Sequence, residues 1–161
     1  MIDKKNVLFV CTGNIIRSPL AEHMLRQLAE DRGVGEAFHI ASAGTSSYHT
    51  GQAPDSRMRQ TAAEHGLEYT GSARQLDPTD LEEFDLIIAM DRSNQRNIQS
   101  MAQTEEHRSK IHFMREWDPE ANGDMDVPDP YYGGLDGFER TYQIVARSVE
   151  NLFRDLDQGT G

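Results

Sequence analysis

Residues 6–19 read NVLFVCTGNIIRSP, and this stretch decides the fold. Its first part, 6–10, is a short apolar run, which is typical of a strand buried on both faces of a parallel sheet. A loop with glycine and asparagine follows, and from Arg17 onward apolar residues recur at helical spacing. Ser18 and Pro19 suit the start of that helix, with serine as N-cap and proline at the first helical position. The stretch therefore predicts a strand, a tight loop and a helix.

The same alternation continues along the chain. Apolar runs predict further strands at 38–43, 85–90 and 110–114. Helical spacing predicts helices at 54–65, 79–84, 93–101 and 135–156. The segment 118–134 is rich in proline and glycine and is predicted to be a long irregular loop. Strands that alternate with helices indicate an α/β fold, which we expect to be a single-domain, doubly wound, four-stranded parallel sheet with helices on both faces.

Length and composition indicate the class of protein. The 161 residues suit a single domain, 1–161, whose tail at 157–161 is expected to fray. With one cysteine the chain has no intrachain disulfide, which is usual in a reducing compartment. The chain has no signal-peptide pattern, and no apolar run approaches the ~20 residues that span a bilayer. We therefore expect a soluble, cytoplasmic protein.

The charge of the chain argues against two classes of partner. Its formal net charge is -11, from 27 acidic and 16 basic residues. Such a surface repels nucleic acid and anionic membranes, so neither is expected as a partner. An anionic substrate must then be attracted by a local positive site. Nothing in the sequence indicates an oligomeric state.

The loop after the first strand has the features of an anion site. Cys11 lies at the carboxyl end of that strand, which is where ligands bind in open parallel sheets. The loop and the helix start direct successive backbone N–H groups to one point, and Arg17 adds a planar fork of donors that matches phosphate oxygens. This positive environment favours the thiolate form of Cys11, to which Ser18 can donate a hydrogen bond. The pattern indicates a cysteine nucleophile next to a bound phosphate.

A thiolate that takes a phosphoryl group from an ester needs an acid to protonate the leaving oxygen. Asp129 lies in the long irregular loop, and Pro128 and Pro130 stiffen the backbone on either side of it. Tyr131 and Tyr132 follow and can form an aromatic wall for a phenyl ring. Asp129 is therefore the candidate general acid and, in a later step, general base.

The six histidines form no spacing that is typical of a metal site. We therefore predict a reaction that uses no metal and no cofactor.

The two loops together resemble those of the low-molecular-weight protein tyrosine phosphatases. The resemblance rests on CTGNIIRSP near the N-terminus and on DPYYG near the C-terminus. Further similar segments lie at 42–45, 54–57, 73–75 and 90–94. The family implies a four-stranded parallel sheet, phosphocysteine chemistry without a metal, and a phosphotyrosine protein or small aryl phosphate as substrate.

The resemblance also assigns roles to particular residues. It makes Cys11 the nucleophile, Arg17 the ligand of the phosphate and transition state, and Asp129 the acid and then base. The phosphate-binding loop then contains Thr12, Gly13, Asn14, Ile15, Ile16 and Ser18. Ser42 and Asp91 support this loop and Arg17, and the substrate cleft is lined by Tyr48, Tyr131 and Tyr132. Ile15 lies beneath the substrate ring, and the related arginine phosphatases have a threonine there, so isoleucine favours an aromatic phosphoester.

The chain departs from the family pattern at two positions. Many members have a second cysteine where this chain has Ile16, and that cysteine protects the nucleophile through a reversible disulfide. Animal members have a histidine where this chain has Gly71. The hydrogen-bond network behind the phosphate-binding loop is therefore expected to be weaker here.

Three other functions remain open from the residues alone. An arsenate reductase on the same fold binds a similar oxyanion, but its thiol relay needs further cysteines. A phosphocysteine carrier of the sugar phosphotransferase type has no need of Arg17 or Asp129. A non-catalytic phosphopeptide-binding module would keep the arginine and the backbone donors. The presence of Cys11, Arg17, Ser18 and Asp129 in one chain favours the enzyme.

Overall fold

The computed structural model describes residues 4–158 and contains one parallel sheet. Its strands are β1 (Lys5–Cys11), β2 (Phe38–Gly44), β3 (Leu86–Ala89) and β4 (Ile111–Phe113). They lie in the order β2-β1-β3-β4, and every neighbouring pair is parallel. The predicted four-stranded parallel α/β fold is confirmed.

Six α-helices surround the sheet in the described part of the chain. They are α1 (Arg17–Asp31), α2 (Ser56–Glu64), α3 (Asp80–Glu83), α4 (Arg92–Met101), α5 (Glu105–Ser109) and α6 (Leu135–Gln158). Short 3-10 turns occur at Gly35–Ala37 and Met114–Trp117. The predicted helices agree with these bounds to within two residues at each end, and 118–134 is irregular as predicted.

The two faces of the sheet are both covered. The side chains of Val7 and Phe9 belong to a core shared with α1, α2 and α6, whereas those of Leu8 and Val10 belong to a core shared with α3 and α4. Alternate residues of a strand point to opposite faces, so a strand buried on both sides needs a continuous apolar run. This is why the apolar segment in the sequence predicted β1 correctly.

The start of α1 differs from the prediction. Ile16, not Ser18, occupies the N-cap position, and no side chain caps the helix. The hydroxyl of Ser18 lies 3.0 Å from the sulfur of Cys11 instead. The serine–proline pair correctly indicated that a helix begins nearby. The Ser18 side chain, however, bonds to Cys11 instead of capping the helix.

The short helix α5 was not predicted, because its five residues are charged or polar and show no apolar spacing. Thr104 caps it by accepting a bond from the backbone N–H of His107 at 3.0 Å. His107 is buried, and its Nε2 lies 2.6 Å from a carboxylate oxygen of Glu82. A capping threonine and one buried histidine therefore convert a polar segment into a helix.

Helix α6 extends two residues beyond its predicted end at 156. Asp157 of this helix pairs with Arg32, the residue that follows α1, at 3.2 Å. The expected fraying of 157–161 stays a prediction, and 159–161 lie outside the described residues. Among the helices of residues 4–158, none is long and apolar enough to cross a membrane.

The topology brings the two predicted loops together. β2 and β3 flank β1 on opposite sides, so the strand order reverses at the carboxyl end of β1, next to Cys11. The irregular loop returns to the same edge, where the N–H of Val127 donates to the carbonyl of Met90 at 2.7 Å. The fold therefore places 127–132, called the acid loop below, beside the loop that follows Cys11.

Candidate active site

The loop between β1 and α1 curls tightly around the sulfur of Cys11. Asn14 has a φ of 57°, in the left-handed region that asparagine tolerates better than most residues. Its backbone N–H donates to the Cys11 sulfur at 3.2 Å. A Cβ atom on Gly13 would lie 2.9 Å from the His49 ring, so glycine allows that histidine to approach the loop. The loop geometry explains the glycine and asparagine of the motif.

The side chain of Asn14 sets the direction of the hydrogen bonds behind this loop. Its Oδ1 accepts from the backbone N–H of Arg74 at 2.9 Å, so its amide nitrogen faces Ser18 and Ser42, each at 2.9 Å. Ser18 accepts this bond, and its own proton is then available to the Cys11 sulfur at 3.0 Å. The network thus provides two donors to a thiolate, the Ser18 hydroxyl and the Asn14 N–H.

Arg17 is almost fully buried and is held by fixed partners. Its Nη1 donates to Asp91 at 2.7 Å and to the carbonyl of Val127 at 2.9 Å, and its Nη2 contacts Thr12 at 3.4 Å. Burial lowers the pKa of Arg17, but the negative charges of Cys11, Asp91 and Asp129 outweigh burial and raise that pKa above its ordinary value. The guanidinium is therefore charged and rigidly oriented.

Asp129 faces this centre from the acid loop. One carboxylate oxygen lies 3.6 Å from Arg17 Nη2, and the other accepts from the backbone N–H of Tyr131 at 3.1 Å. Its side chain is 46% exposed, so water can reach it. Thr141 of α6 donates to the carbonyl of Pro128 at 3.1 Å, which fixes the loop next to Asp129. The carboxyl group is thus held at the mouth of the site, within reach of solvent.

A cleft of about 480 Å³ connects these residues. Cys11 and Arg17 lie among the residues that line it, together with Ile15, Ile16 and Asp129 of the predicted set. Predicted aromatic residues complete its walls, and two of them are strongly exposed: Tyr48 at 81% and Tyr132 at 97%. Most of the predicted residues of both loops therefore line one cleft, whereas Asn14 and Ser18 do not line it and bond to each other behind the loop.

Sequence reasoning missed several residues of this region. Ser46 and His49 line the cleft, and Asn94 donates to Thr12 at 3.1 Å. Glu22 accepts from the Ser42 hydroxyl at 2.6 Å and closes the network behind the loop. Glu22 lies one helical turn after Ser18, on the same side of α1, and this spacing was the available signal.

In the described part of the chain, 4–158, no group of three or more histidine, cysteine or acidic side chains could hold a metal ion.

The sequence profile of one known family matches this chain. The family is described as low molecular weight phosphotyrosine protein phosphatase, and the match covers residues 6–160.

The chain belongs to this family.

Individual relatives agree with the assignment. A low molecular weight protein-tyrosine-phosphatase of Streptomyces coelicolor is 44% identical over 91% of this chain and 90% of its own length. The human low molecular weight phosphotyrosine protein phosphatase is 39% identical over 89% and 90%. A crystal structure of a protein tyrosine phosphatase from Entamoeba histolytica, with Hepes in its active site, superposes with a TM-score of 0.91 at 37% identity, covering 97% and 99%.

The structure shows the surroundings of Ile16 and Gly71, the two positions where the chain departs from the family pattern. Ile16 is buried beside Cys11 in the cleft. Gly71 borders a smaller cavity of about 230 Å³ behind the loop, which is also lined by Glu22, His23 and Ser42. In this family member the Ser42 hydroxyl donates to the carboxylate of Glu22 at 2.6 Å.

Proposed function

We propose that this chain is a protein-tyrosine-phosphatase that hydrolyses phosphotyrosine and aryl phosphates through a phosphocysteine intermediate. The observation that carries the proposal is that Cys11, Arg17 and Asp129 line one cleft, with the sulfur bonded by two donors. Membership of the phosphatase family supports it. In this proposal Cys11 is the nucleophile, Arg17 the phosphate ligand, and Asp129 the acid and then base.

In the first step the thiolate of Cys11 attacks the phosphorus atom of the ester. An S–P bond forms and the P–O bond to the phenol breaks, while protonated Asp129 gives its proton to the leaving oxygen. Arg17 and the loop N–H groups bind the phosphoryl oxygens, on which charge is spread in the transition state. Because Asp91 and Val127 hold Nη1 of Arg17, its Nη2 edge is left to face the phosphoryl group. The products of this step are a phenol and a phosphocysteine.

In the second step a water molecule attacks the phosphocysteine. Asp129, now a carboxylate, takes a proton from this water, and the S–P bond breaks. The sulfur leaves as a thiolate, which accepts the hydrogen bonds of Ser18 and Asn14. Inorganic phosphate leaves, and the enzyme regains its starting protonation.

The walls of the cleft suggest the substrate class. Ile15 and Tyr131 line the cleft together with Cys11, and the strongly exposed Tyr48 and Tyr132 line it as well. Such a slot suits a flat phenyl ring better than a flexible, charged arginine side chain. A phosphotyrosine side chain on a protein is therefore our proposed substrate, with small aryl phosphates as surrogates.

We further propose that the phosphatase acts in the cytoplasm, without nucleic-acid or membrane partners. The single cysteine and the net charge of -11 support this location and this choice of partners.

Hydrolysis of a chromogenic aryl phosphate in the presence of chelator tests the proposed function. We expect turnover without added metal, and Cys11→Ser should abolish it, because a hydroxyl is a poor nucleophile in this setting. The variant should still bind phosphate through Arg17 and the loop. Activity that is lost in chelator, or retained in Cys11→Ser, would exclude the mechanism. A phosphopeptide-binding module would give binding and no turnover.

The role of Asp129 is tested by the leaving group. Asp129→Ala should lower kcat/KM by ~10²–10⁴-fold for esters of weakly acidic phenols, the usual contribution of a positioned acid. The loss should shrink for esters of strongly acidic phenols, because their oxygen leaves without a proton. The measurement is kcat/KM against the pKa of the leaving phenol. An Asp129→Ala variant with the same dependence as the wild type would place the acid elsewhere, for example at Asp126 or Asp124.

A further inference from the structure

The first turn of α2 connects the two loops of the cleft. The backbone N–H of Asp55 donates to the carbonyl of Ile15 at 2.8 Å, which joins this turn to the phosphate-binding loop. The carboxylate of Asp55 caps the helix by accepting from the N–H of Arg57 at 2.8 Å. The same carboxylate binds the guanidinium of Arg57, at 2.9 Å from Nη2 and 3.2 Å from Nε. The position of Arg57 is thus set relative to Ile15.

The remaining edge of Arg57 reaches the acid loop. Its Nη1 donates to the carbonyl of Tyr131 at 3.1 Å. Its guanidinium carbon lies 4.7 Å from the centre of the Phe138 ring, which is fully buried in α6. This cation–π contact supports the guanidinium next to the Tyr131 carbonyl.

The bond to Tyr131 is one step from Asp129. The N–H of Tyr131 donates to Oδ1 of Asp129 at 3.1 Å, while its carbonyl accepts from Arg57. On the other side of Asp129, the carbonyl of Val127 accepts from Arg17. Arg17 and Arg57 therefore each donate to a backbone carbonyl, one on either side of Asp129.

The pKa shifts of Asp55 and Arg57 agree with the short distances between them. Burial raises the pKa of Asp55, but its bonds to Arg57 outweigh burial and hold that pKa below its ordinary value. The carboxylate in turn raises the pKa of Arg57. Each group therefore favours the charged form of the other.

We propose that Arg57 is a positioning residue for general acid catalysis, which holds the acid loop at the correct distance from Cys11. The inference rests on the proposed role of Asp129. Arg57 is not among the residues that line the cleft, so its effect passes through its bond to the Tyr131 carbonyl. Lysine cannot replace it, because one ammonium group cannot bind the Asp55 carboxylate, stack on Phe138 and reach the carbonyl in the same plane.

The test compares Arg57→Met and Arg57→Lys with Asp129→Ala across a series of aryl phosphates. We expect both Arg57 variants to lose about tenfold in kcat/KM for esters of weakly acidic phenols, since small displacements of a catalytic group cost up to ~10²-fold. For esters of strongly acidic phenols they should approach the wild-type rate. Inhibition by inorganic phosphate should be unchanged, because the phosphate-binding loop and Arg17 remain. Arg108→Met, which removes an exposed ion pair with Glu105, is the matched control and should behave as wild type.

A double variant separates positioning from general loss of structure. If Arg57 acts through Asp129, adding Arg57→Met to Asp129→Ala should lower the rate by less than twofold further. Thermal unfolding shows whether Arg57→Met is folded. If it is not, Arg57→Lys replaces it in the test, because lysine keeps the positive charge. Equal losses for all leaving groups, or full addition of the two losses, would overturn the inference. If the loss of activity in Asp129→Ala does not depend on the leaving group, the proposed acid role of Asp129 is itself wrong. This outcome is visible in Asp129→Ala alone, without any Arg57 variant.

Discussion

Cys11 is the only cysteine of the chain, and its sulfur accepts hydrogen bonds from Ser18 and Asn14. The thiolate is the form of a cysteine that peroxide attacks, and Cys11 lines a cleft that peroxide can enter. The first product is a sulfenic acid: the thiolate sulfur bonds to one oxygen of peroxide, the O–O bond breaks and hydroxide leaves. In relatives with a neighbouring cysteine a disulfide can trap this species, but here Ile16 occupies that position.

We therefore predict that peroxide inactivates this phosphatase with little recovery. After prolonged exposure without added thiols, dithiothreitol should restore only a minor part of the activity, because oxidation passes the reversible sulfenic stage. Intact mass should show two or three added oxygens per chain, and inorganic phosphate in the cleft should slow the loss. Full recovery by dithiothreitol with no stable oxygen addition would contradict the prediction.

The matched variant is Ile16→Cys. Its side chain would line the same cleft as Cys11, so a disulfide can form if the two sulfurs reach bonding distance. We expect this variant to regain most of its activity after the same treatment.

At the scale of single residues, the sequence predicted an anion site but not the partners of Arg17. The spacing of Cys11 and Arg17 across a strand, loop and helix was sufficient to predict an anion site. The partners that orient Arg17 were less accessible, because Val127 lies 110 residues away and contributes a backbone carbonyl, which has no sequence signature. The N-cap prediction for Ser18 failed because the nearby sulfur offered its hydroxyl a different partner.

Among the elements, α4 is connected directly to the site through its N-cap. One oxygen of Asp91 accepts from the backbone N–H of Asn94 at 2.8 Å, and the other accepts from Arg17 at 2.7 Å. The same carboxylate therefore caps a helix and orients Arg17, the proposed phosphate ligand.

Two substitutions of Asp91 separate these tasks. Asp91→Asn keeps an oxygen for the cap but loses the charge that holds Arg17, whereas Asp91→Ala loses both. We expect kcat to fall by about tenfold in both variants, equivalent to about 1.4 kcal/mol of transition-state stabilisation. Only Asp91→Ala should also lose about 1 kcal/mol of folding stability, the usual contribution of a cap. Steady-state kinetics and urea unfolding measure the two effects, and equal stability of the two variants would contradict the assignment of the cap.

At the level of elements, the sequence predicted most of the fold because the apolar periodicity of each strand and helix was clear. The exception, α5, has five residues and is held by the Thr104 cap and by His107 against Glu82. These contacts depend on α3, which is distant in sequence, so local pattern could not predict them. The link from Arg57 of α2 to the acid loop spans 74 residues and was equally inaccessible.

In the whole molecule, a buried cluster of charges anchors the start of the long irregular loop. The side chain of Asp118 is fully buried and binds Arg115 at 2.9 Å and Arg147 of α6 at 2.6 Å. Burial raises the pKa of Asp118, but the bonds from Arg147, the Glu120 N–H and Arg115 outweigh it, and the pKa lies below its ordinary value.

The cluster predicts how stability depends on pH. Because the pKa of Asp118 is lower in the folded state, its contribution is complete above the unfolded value of ~3.9 and is lost as pH falls through the folded value. Asp118→Asn should be less stable than the wild type by about 3 kcal/mol at pH 7, since it leaves buried arginine charge uncompensated. The difference should shrink below about pH 4, as the wild-type carboxylate becomes protonated.

Urea unfolding of both proteins between pH 7 and pH 2.5 measures this difference. Asp31→Asn, at an exposed position at the end of α1, is the control and should change little. A difference between wild type and Asp118→Asn that stays constant through the acid range would show that the charge of Asp118 is not what stabilises the loop.

In the proposed mechanism the phosphoryl group is transferred from the substrate to the sulfur of Cys11 and from there to water. The most direct measurement is rapid acid quenching of the protein with an aryl phosphate, followed by intact mass and peptide mapping. We predict an added mass of one phosphoryl group on the peptide that contains Cys11, formed in the first turnover. It should be absent in Cys11→Ser and should disappear as free phosphate is released. Turnover with no phosphorylated cysteine at any quench time, or a phosphoryl group on a different residue, would contradict the account.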